Sequence, residues 1–184
     1  MLRSAAATKG AALPLRILHA GCGVAPLSEI FQEWECVETR LDIDPATKPD
    51  IVANMIDIEW LGIGPFDYVL CNHALEHLYP HDVEMALRGF LKVLAPGGKA
   101  VIYVPDLEDA RPTDEVLFVS PAGPIAGLDL YYGHRASLGR CPYMAHHCGF
   151  VAKTLHDALS RVGFVNVGTE RLLTYNLLGF GEKP

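Results

Sequence analysis

Short apolar runs alternate with segments of helical periodicity along most of this chain of 184 residues. Buried strands read as apolar runs of about four to eight residues, whereas amphipathic helices repeat apolar residues at i, i+3, i+4 and i+7. Alternation of the two patterns predicts an α/β fold in which helices cover a mainly parallel sheet. The apolar runs that we interpret as strands are 15–20, 38–43, 50–54, 66–71 and 100–104.

Three apolar stripes mark the predicted helices, and two further runs close the predicted sheet. We expect helices at about 27–34, at 83–94 ahead of a Pro-Gly-Gly sequence that should stop the helix, and at 151–162 ahead of Gly163. The runs 164–167 and 172–178 are predicted to form an antiparallel pair of strands. The stripes consist of Leu27, Ile30, Phe31 and Trp34, then Val83, Ala86, Leu87, Phe90 and Leu94, then Val151, Leu155, Ala158, Leu159 and Val162.

One stretch of about 45 residues, 106–150, breaks the alternation. It contains several prolines and aromatic residues and has no clear period. Long irregular segments in compact domains are usually functional lids or disordered, and the aromatic content favours a lid. We therefore expect a flexible N-terminal tail at 1–14 and a single domain at 15–184 that carries a lid or insertion at about 106–150.

Charge and composition argue against several classes of protein. Asp and Glu number 22 against 15 Lys and Arg, which gives a net charge of −7, whereas nucleic-acid-binding domains usually carry a basic patch. No apolar run approaches the ~18 residues of a membrane span. Five cysteines without CxxC spacing are typical of free thiols in a reducing compartment. We therefore expect a cytoplasmic protein with no nucleic-acid or membrane partner.

The first predicted strand runs directly into a glycine turn, Gly21-Cys22-Gly23, which opens the following segment. Asp42 lies near the end of the second predicted strand, 19 residues after Gly23, where an acidic residue accepts hydrogen bonds from ribose hydroxyls. This arrangement predicts a cofactor that contains a nucleoside. Because Pro26 stands where a dinucleotide site needs its third glycine, we favour a cofactor without phosphates over a dinucleotide.

Four motifs in this order and spacing resemble the class I S-adenosylmethionine-dependent methyltransferases, and most closely the small type 11 group. They are ILHAGCG, LDIDP, FDYVLCNHALEHL and FLKVLAPGGKAVIYVPD. The resemblance covers about 15–106 and resumes around 151–168. It implies a Rossmann-like, doubly wound sheet of seven mainly parallel strands in the order 3-2-1-4-5-7-6, with strand 7 antiparallel, in a single domain.

The resemblance also implies a cofactor site, residue by residue. The turn at 21–23 matches the loop beneath the methionine part of S-adenosylmethionine, Asp42 the acid on the ribose, and 54–56 the segment that flanks the adenine. His19 and Asn54 stand where the family usually has acidic residues, and His19 could still reach the cofactor through a water molecule. The expected cofactor-binding residues are His19, Gly21, Cys22, Gly23, Asp42, Ile43, Asn54, Met55, Ile56, Cys71 and Asn72.

Histidines supply the candidate catalytic residues, because oxygen and nitrogen acceptors often need a base. His73 follows the fourth predicted strand, where it could line the acceptor site or instead cap a helix or the core edge. His146 and His147 lead out of the expected lid, and we expect one of them to face the cofactor end as substrate ligand or base. No CxxC or HxxxH spacing accompanies them, so we expect no metal site. We interpret Glu76 and His77 as mainly structural.

These observations favour a methyltransferase that acts on a small-molecule or sugar-like acceptor. One alternative is a non-catalytic module that keeps the cofactor fold and works through protein contacts, which the departures at His19 and Asn54 would suit and which predicts a collapsed pocket. A second alternative is a nicotinamide-dependent oxidoreductase, against which Pro26 argues. The acceptor atom, whether oxygen, nitrogen, carbon or sulfur, and the oligomeric state stay open.

Overall fold

The computed structural model describes residues 13–184, so the tail expected at 1–14 lies almost entirely outside the described residues. In the described part of the chain, nine strands form one seven-stranded sheet and one separate hairpin. The sheet contains β1 (Leu15–Ala20), β2 (Cys36–Asp42), β3 (Ile51–Val52), β4 (Phe66–Asn72), β5 (Leu94–Pro105), β8 (Val165–Leu172) and β9 (Asn176–Glu182), and the hairpin contains β6 (Val116–Ser120) and β7 (Gly123–Ala126).

The strand order across the large sheet is β3-β2-β1-β4-β5-β9-β8. Neighbouring strands run parallel except at β9, which is antiparallel to both β5 and β8. When the two hairpin strands β6 and β7 are left out of the count, β8 and β9 are the sixth and seventh strands of the chain. The order therefore confirms the predicted 3-2-1-4-5-7-6 arrangement with an antiparallel seventh strand. The order reverses between β1 and β4, and ligands of such sheets bind in the crevice outside the carboxyl ends of the strands at this point.

Two of the three predicted helices are present. Helix α1 (Pro80–Val93) begins with a proline, whose missing N–H costs nothing in the first turn, and helix α4 (Ala152–Val162) ends at Gly163 in the left-handed conformation. The Pro-Gly-Gly sequence lies within β5 instead of ending the helix. Shorter elements are α2 (Gly127–Tyr132), α3 (Arg135–Leu138) and 3-10 turns at Glu29–Phe31, Pro45–Thr47, Met55–Trp60, Leu75–His77 and Pro142–Met144.

The helix predicted at 27–34 is wrong, because only the 3-10 turn Glu29–Phe31 forms there. Ser28 precedes that turn without a side-chain cap, and Glu29 and Glu33 would repel each other one turn apart on a helix. The next strand begins at Cys36, so the segment is too short to offset the cost of starting a helix. The apolar residues nevertheless pack against the sheet as the stripe predicts, and Phe31 is buried there.

The hydrophobic core lies on both faces of the sheet. On one face, Leu18 and Ile102 of the strands pack with Phe90 of α1 and Leu155 of α4. On the opposite face, Phe31 packs with apolar strand residues and meets the ring of Tyr68 edge-on at a centroid distance of 5.2 Å. The packed sheet holds the carboxyl ends of β1, β2 and β4 in fixed positions.

Residues 106–150, which we call the excursion, fold into the hairpin of β6 and β7 followed by α2 and α3. The two ends of the excursion meet where the N–H of Leu107 donates to the carbonyl of Phe150 at 3.0 Å. Its returning part is fastened to the loop after β4, because the N–H groups of His147 and Cys148 both donate to the carbonyl of Glu76. These bonds bring the returning chain beside the end of β4.

All five cysteines carry free thiols, as the sequence predicts. Burial, together with the charge of Glu76, raises the pKa of Cys148 to about 12, so this thiol stays protonated at neutral pH. Within residues 13–184, no helix combines the length and the apolarity that crossing a membrane would require.

Candidate active site

A cavity of about 560 Å³ opens at the carboxyl ends of β1, β2 and β4. Its volume lies in the range of about 300–1,000 Å³ that small-molecule sites occupy. One side, which we call the glycine wall, consists of 21–25, 41–44, Thr47 and 53–55. A second part of the lining, which we call the excursion wall, consists of Cys141, Pro142, Tyr143, Met144 and His147, and the remaining lining residues come from the end of β4 and the chain that follows it.

The turn after β1 requires glycine for two different reasons. Gly21 has a φ of +68°, and a Cβ added there would lie only 2.4 Å from the Cβ of Ala74. Gly23 has a φ of +50°, and an added Cβ would meet no described atom within 4 Å, so only the backbone conformation demands glycine there. The turn therefore packs tightly against the loop after β4 and presents bare backbone to the cavity.

Asp42 connects the glycine turn to the end of β2. One carboxylate oxygen, Oδ2, accepts a hydrogen bond from the N–H of Gly23 at 2.7 Å, and Oδ1 accepts one from the N–H of Asp44 at 2.9 Å. The side chain is 8% exposed and borders the cavity. Since each carboxylate oxygen can accept more than one hydrogen bond, Asp42 retains the capacity to accept from a pair of neighbouring hydroxyls.

Arg40 supports the glycine turn from behind, and the sequence reasoning missed it. Its guanidinium donates to the carbonyls of Gly23 at 2.8 Å and Ala25 at 2.9 Å, which fixes the turn against β2. His19 belongs to this supporting layer too, because its Nδ1 lies 2.7 Å from Oε1 of Glu38 and its side chain is buried away from the cavity. Burial lowers the pKa of His19, although the Glu38 carboxylate opposes the shift.

The structure brings most of the expected cofactor-binding residues to the cavity, although not all of them. Asn54 lines it, and its side chain also accepts from the N–H of Ile56 at 3.2 Å and so caps the following 3-10 turn. His19, Ile56 and Cys71 do not line the cavity, and Cys71 is fully buried. The expected residues that do line it are Gly21, Cys22, Gly23, Asp42, Ile43, Asn54, Met55 and Asn72.

His73 lies at the cavity edge directly after β4, in the left-handed backbone conformation with a φ of +51°. Its Nε2 lies 2.8 Å from Oδ1 of Asn176, and its Nδ1 lies 3.4 Å from Oε1 of Glu76. Burial alone would lower the pKa of His73, but the hydrogen bond and the charge of Glu76 outweigh it and raise the pKa. Both ring nitrogens therefore face hydrogen-bond acceptors.

The adjacent histidines of the excursion point to different places. His147 lines the cavity and stacks on Tyr79, with ring centroids 4.3 Å apart. Within residues 13–184, the hydrogen bond that His147 makes is that of its backbone N–H, and its ring contact is the stacking on Tyr79. His146 lies behind the wall, where its Nε2 is 4.0 Å from Oε1 of Glu76 and its Nδ1 is 2.9 Å from the carbonyl of Leu130.

Glu76 is the charged centre of this region, and its side chain is 2% exposed. Burial alone would raise the pKa of Glu76, but the hydrogen bond and charge of His73, together with the charges of His77 and His146, lower it. The buried group is therefore a carboxylate at neutral pH. The sequence reasoning interpreted it as mainly structural and gave it no part in the site.

The four residues 141–144 of the excursion wall lie in the lid that the sequence predicts, but the sequence reasoning did not name them as site residues. Pro142 begins the 3-10 turn Pro142–Met144, and this turn carries Tyr143 and Met144 to the cavity. The aromatic and proline content of this stretch is the one signal in the sequence that could have singled it out. An aromatic ring and a thioether give this side of the cavity an apolar surface suited to a planar or apolar ligand.

Comparison with known proteins gives one family. The model of the family described as "Methyltransferase domain" matches residues 2–169, which is most of the chain. No curated protein matches this sequence.

Many solved structures share the fold at low sequence identity. A methyltransferase dependent on S-adenosylmethionine from Archaeoglobus fulgidus is 17% identical with a TM-score of 0.65, over 92% of this chain and 86% of its own. The 1,6-didemethyltoxoflavin-N1-methyltransferase of Burkholderia thailandensis, crystallised with 1,6-didemethyltoxoflavin and S-adenosylhomocysteine, is 19% identical with a TM-score of 0.62, over 92% of this chain and 71% of its own.

Some of the similar structures are much longer than this chain. Human N-acetylserotonin methyltransferase, in complex with S-adenosylmethionine, is 14% identical with a TM-score of 0.61, and the match spans 92% of this chain but only 48% of the human one. At these identities the likeness establishes the fold.

Proposed function

This chain belongs to the methyltransferase domain family, and we propose that it transfers the methyl group of S-adenosylmethionine to a small-molecule acceptor. The observation that carries the proposal is the cavity at the carboxyl ends of β1, β2 and β4, which is lined by both the glycine wall and the excursion wall. The first wall suits the methyl donor, and the second suits the acceptor.

The glycine wall fits S-adenosylmethionine through three features. The bare backbone of the turn at Gly21 and Gly23 permits close approach of the methionine part, and Asp42 keeps lone pairs for the ribose hydroxyls. Met55 and Ile43 supply apolar surface for the adenine. Bound there, the cofactor would supply a methyl group activated by a sulfonium.

The acceptors of two similar enzymes and the net charge of this chain favour a small acceptor. The Burkholderia thailandensis and human enzymes are described as methyltransferases of small molecules, which supports the same class of acceptor here. The net charge of −7 is unfavourable for a polyanionic substrate. We therefore propose a small-molecule or sugar-like acceptor that binds against Tyr143 and Met144.

We assign to His147 the removal of the proton from an oxygen or nitrogen acceptor. Its ring borders the cavity, and stacking on Tyr79 fixes its orientation while leaving its nitrogens free to meet the acceptor. His73 suits the role of base less well, because both of its nitrogens already face the acceptor atoms of Asn176 and Glu76. His73 would instead hold the edge of the site in shape.

The alternative of a non-catalytic module predicts a collapsed pocket. A cavity of about 560 Å³ that is bordered by the carboxylate of Asp42 supports the enzyme instead. The departure at His19 also carries less weight, because His19 supports β2 through Glu38 and does not border the cavity.

Calorimetry with S-adenosylhomocysteine tests the proposal. We expect binding to the purified chain, and a loss of affinity of about 10- to 100-fold in Asp42→Ala, since a hydrogen bond to a charged group contributes about 1.5–3 kcal/mol. Asp50→Ala is the matched control, because Asp50 also accepts from a backbone N–H, that of Arg40 at 2.8 Å, but lies outside the cavity.

Two results would count against the proposal. The first is no binding of S-adenosylhomocysteine at millimolar concentration. The second is a thermal shift with NAD larger than that with S-adenosylhomocysteine, which would favour the oxidoreductase. Equal affinities in Asp42→Ala and Asp50→Ala would remove the ribose role from Asp42.

A further inference from the structure

Three potential metal ligands meet behind the excursion wall. Glu76 and His77 come from the loop after β4, and His146 comes from the returning part of the excursion, 69 residues later than His77. One potential metal-ligand atom from each side chain lies within 4.8 Å of the corresponding atoms of the other two. The cluster thus joins two parts of the chain that are far apart in sequence.

Each of the two imidazoles has its Nδ1 bonded to a backbone carbonyl, which leaves Nε2 as the atom available to a metal ion. Nδ1 of His77 lies 3.1 Å from the carbonyl of Ala145, and Nδ1 of His146 lies 2.9 Å from the carbonyl of Leu130. A carbonyl can only accept, so each Nδ1 carries a ring proton, and Nε2 is the nitrogen that can bind a metal ion when it is unprotonated. Histidines that bind metals have this second hydrogen bond, which sets the tautomer and the orientation of the ring.

The carboxylate of Glu76 is the third potential ligand, and one of its two oxygens has no hydrogen-bond partner among residues 13–184. Its Oε1 lies 3.4 Å from Nδ1 of His73 and 4.0 Å from Nε2 of His146. Its Oε2 is buried and has no hydrogen-bond partner among residues 13–184. A buried carboxylate oxygen without a partner is costly. A bound cation would remove this cost.

We propose that Glu76, His77 and His146 bind a divalent transition-metal cation, with Zn²⁺ the best match. Two imidazoles and one carboxylate form a known zinc ligand set that leaves a further coordination position open. Ligand atoms at about 2.0–2.2 Å from zinc in a tetrahedron lie roughly 3.4 Å apart. The cluster would have to contract by roughly 0.5–1.5 Å, which rotation of the side chains can supply.

The ion would tie the excursion wall to the core of the fold. His146 directly precedes His147 of the excursion wall, whereas Glu76 and His77 follow β4, and His77 also lines the cavity. A cation bound by all three holds the returning chain beside the end of β4 more firmly than the backbone hydrogen bonds alone. The sequence expectation of no metal considered only ligands close together in the chain, and so it could not include this set.

Metal titration of the full-length, chelator-treated protein tests the site. We expect one Zn²⁺ per chain, measured by competition with a chromophoric chelator, and with Co²⁺ the intense visible bands of a four-coordinate ion. Loss of a direct ligand should lower affinity at least about 100-fold, beyond the 10- to 100-fold that loss of a ligand's hydrogen-bond partner costs. The variants are Glu76→Gln and His146→Ala.

Two matched controls separate this site from adventitious binding by histidines. His147→Ala removes the neighbouring residue in the same segment, and His156→Ala removes a histidine that is half-exposed on α4. Both should keep the wild-type affinity within a few-fold. Should either lower it as far as His146→Ala does, or should the wild type bind no tighter than His146→Ala, the metal site is disproved.

Calorimetry with S-adenosylhomocysteine on the same metal-free samples checks folding and keeps the two proposals apart. If Glu76→Gln loses the folded circular dichroism spectrum, His146→Gln takes its place, since the His146 side chain is less buried than that of Glu76, with 10% against 2% exposed. Retained S-adenosylhomocysteine affinity without specific Zn²⁺ binding disproves the metal site alone. Specific Zn²⁺ binding without S-adenosylhomocysteine affinity supports the metal site and counts against the methyltransferase.

Discussion

The glycine wall and the excursion wall border one cavity, but they are held in place by different kinds of interaction. The glycine wall is fixed by local backbone conformation, with Gly21 and Gly23 at positive φ and Asp42 bonded back to the turn. The excursion wall is fixed by hydrogen bonds that connect distant parts of the chain, such as that from the N–H of His147 to the carbonyl of Glu76.

This difference leads us to expect that the two walls have different functions. A binding site built from rigid local turns suits a ligand that never changes, which here is the cofactor. A wall built on an insertion can vary in sequence without disturbing the sheet, as loops on rigid scaffolds do. We therefore expect variants of the two walls to affect separate measurements.

The largest expected effect is that of His147→Ala on turnover. With an acceptor found by screening small phenols, alcohols and amines for release of S-adenosylhomocysteine, kcat/KM should fall about 10²- to 10⁴-fold, the usual contribution of a general base. Affinity for S-adenosylhomocysteine should stay within about twofold. Calorimetry and initial rates on the same samples measure both quantities.

His156→Ala is the control for His147→Ala, because His156 lies on α4 away from the cavity. Its turnover and its cofactor affinity should equal those of the wild type. A His147→Ala variant that loses cofactor affinity as much as turnover would contradict the prediction that the two walls have separate functions. Unchanged turnover would mean that the acceptor needs no base or that another group supplies it.

Next in size is the effect of filling the glycine turn. In Gly21→Ala the new Cβ collides with Ala74 and the residue keeps a left-handed conformation, so we expect a loss of about 2–5 kcal/mol in the free energy of unfolding. In Gly23→Ala only the conformation is unfavourable, which costs about 1–2 kcal/mol. Urea unfolding followed by circular dichroism measures both, and equal losses would contradict the contact with Ala74.

Much of the fold and of the glycine wall could be predicted because the signals are local. A glycine turn after an apolar run and an acid at the end of the next run are separated by few residues, and their meaning depends on a single crossover of the sheet. The strand order followed from the family resemblance. The helix predicted at 27–34 failed because periodicity says nothing of capping or of the repulsion between Glu29 and Glu33.

Apart from His147, the residues of the excursion wall and the supporting residues could not be predicted, because their roles arise only in the folded chain. Arg40 reaches the carbonyls of Gly23 and Ala25 across the sheet, and no spacing indicates that. Glu76 lies near His73, which belongs to the same loop, and near His146, which comes from the far end of the excursion. Predicting such a meeting requires knowing how about 45 residues of insertion fold back on the end of β4.

The smallest effect should come from Asp129, which anchors the part of the excursion that leads to its wall. Its carboxylate accepts from the N–H of Ala126 at 2.8 Å and from the N–H and Nε of Arg135 at 3.1 and 2.8 Å. Asp129→Asn should destabilise 127–147 by about 1–2 kcal/mol, measured by hydrogen exchange of peptides from that region. Cofactor affinity should not change, because the glycine wall is untouched.

Asp114→Asn is the control for Asp129→Asn, because Asp114 binds the same Arg135 at 2.9 Å but is largely exposed, and its loss should change hydrogen exchange little.

Burial alone would raise the pKa of Asp129, but the hydrogen bonds from Arg135 and from the N–H of Ala126 lower it below its ordinary 3.8. A lowered pKa stabilises the folded chain above about pH 4, and this contribution disappears as the pH falls through the folded-state pKa. The difference in protection between wild type and Asp129→Asn should therefore be constant from about pH 7 to 5 and shrink only below about pH 4. A difference that already shrinks between pH 7 and 5 would mean that another group holds the excursion, and that the wall depends on something besides this carboxylate.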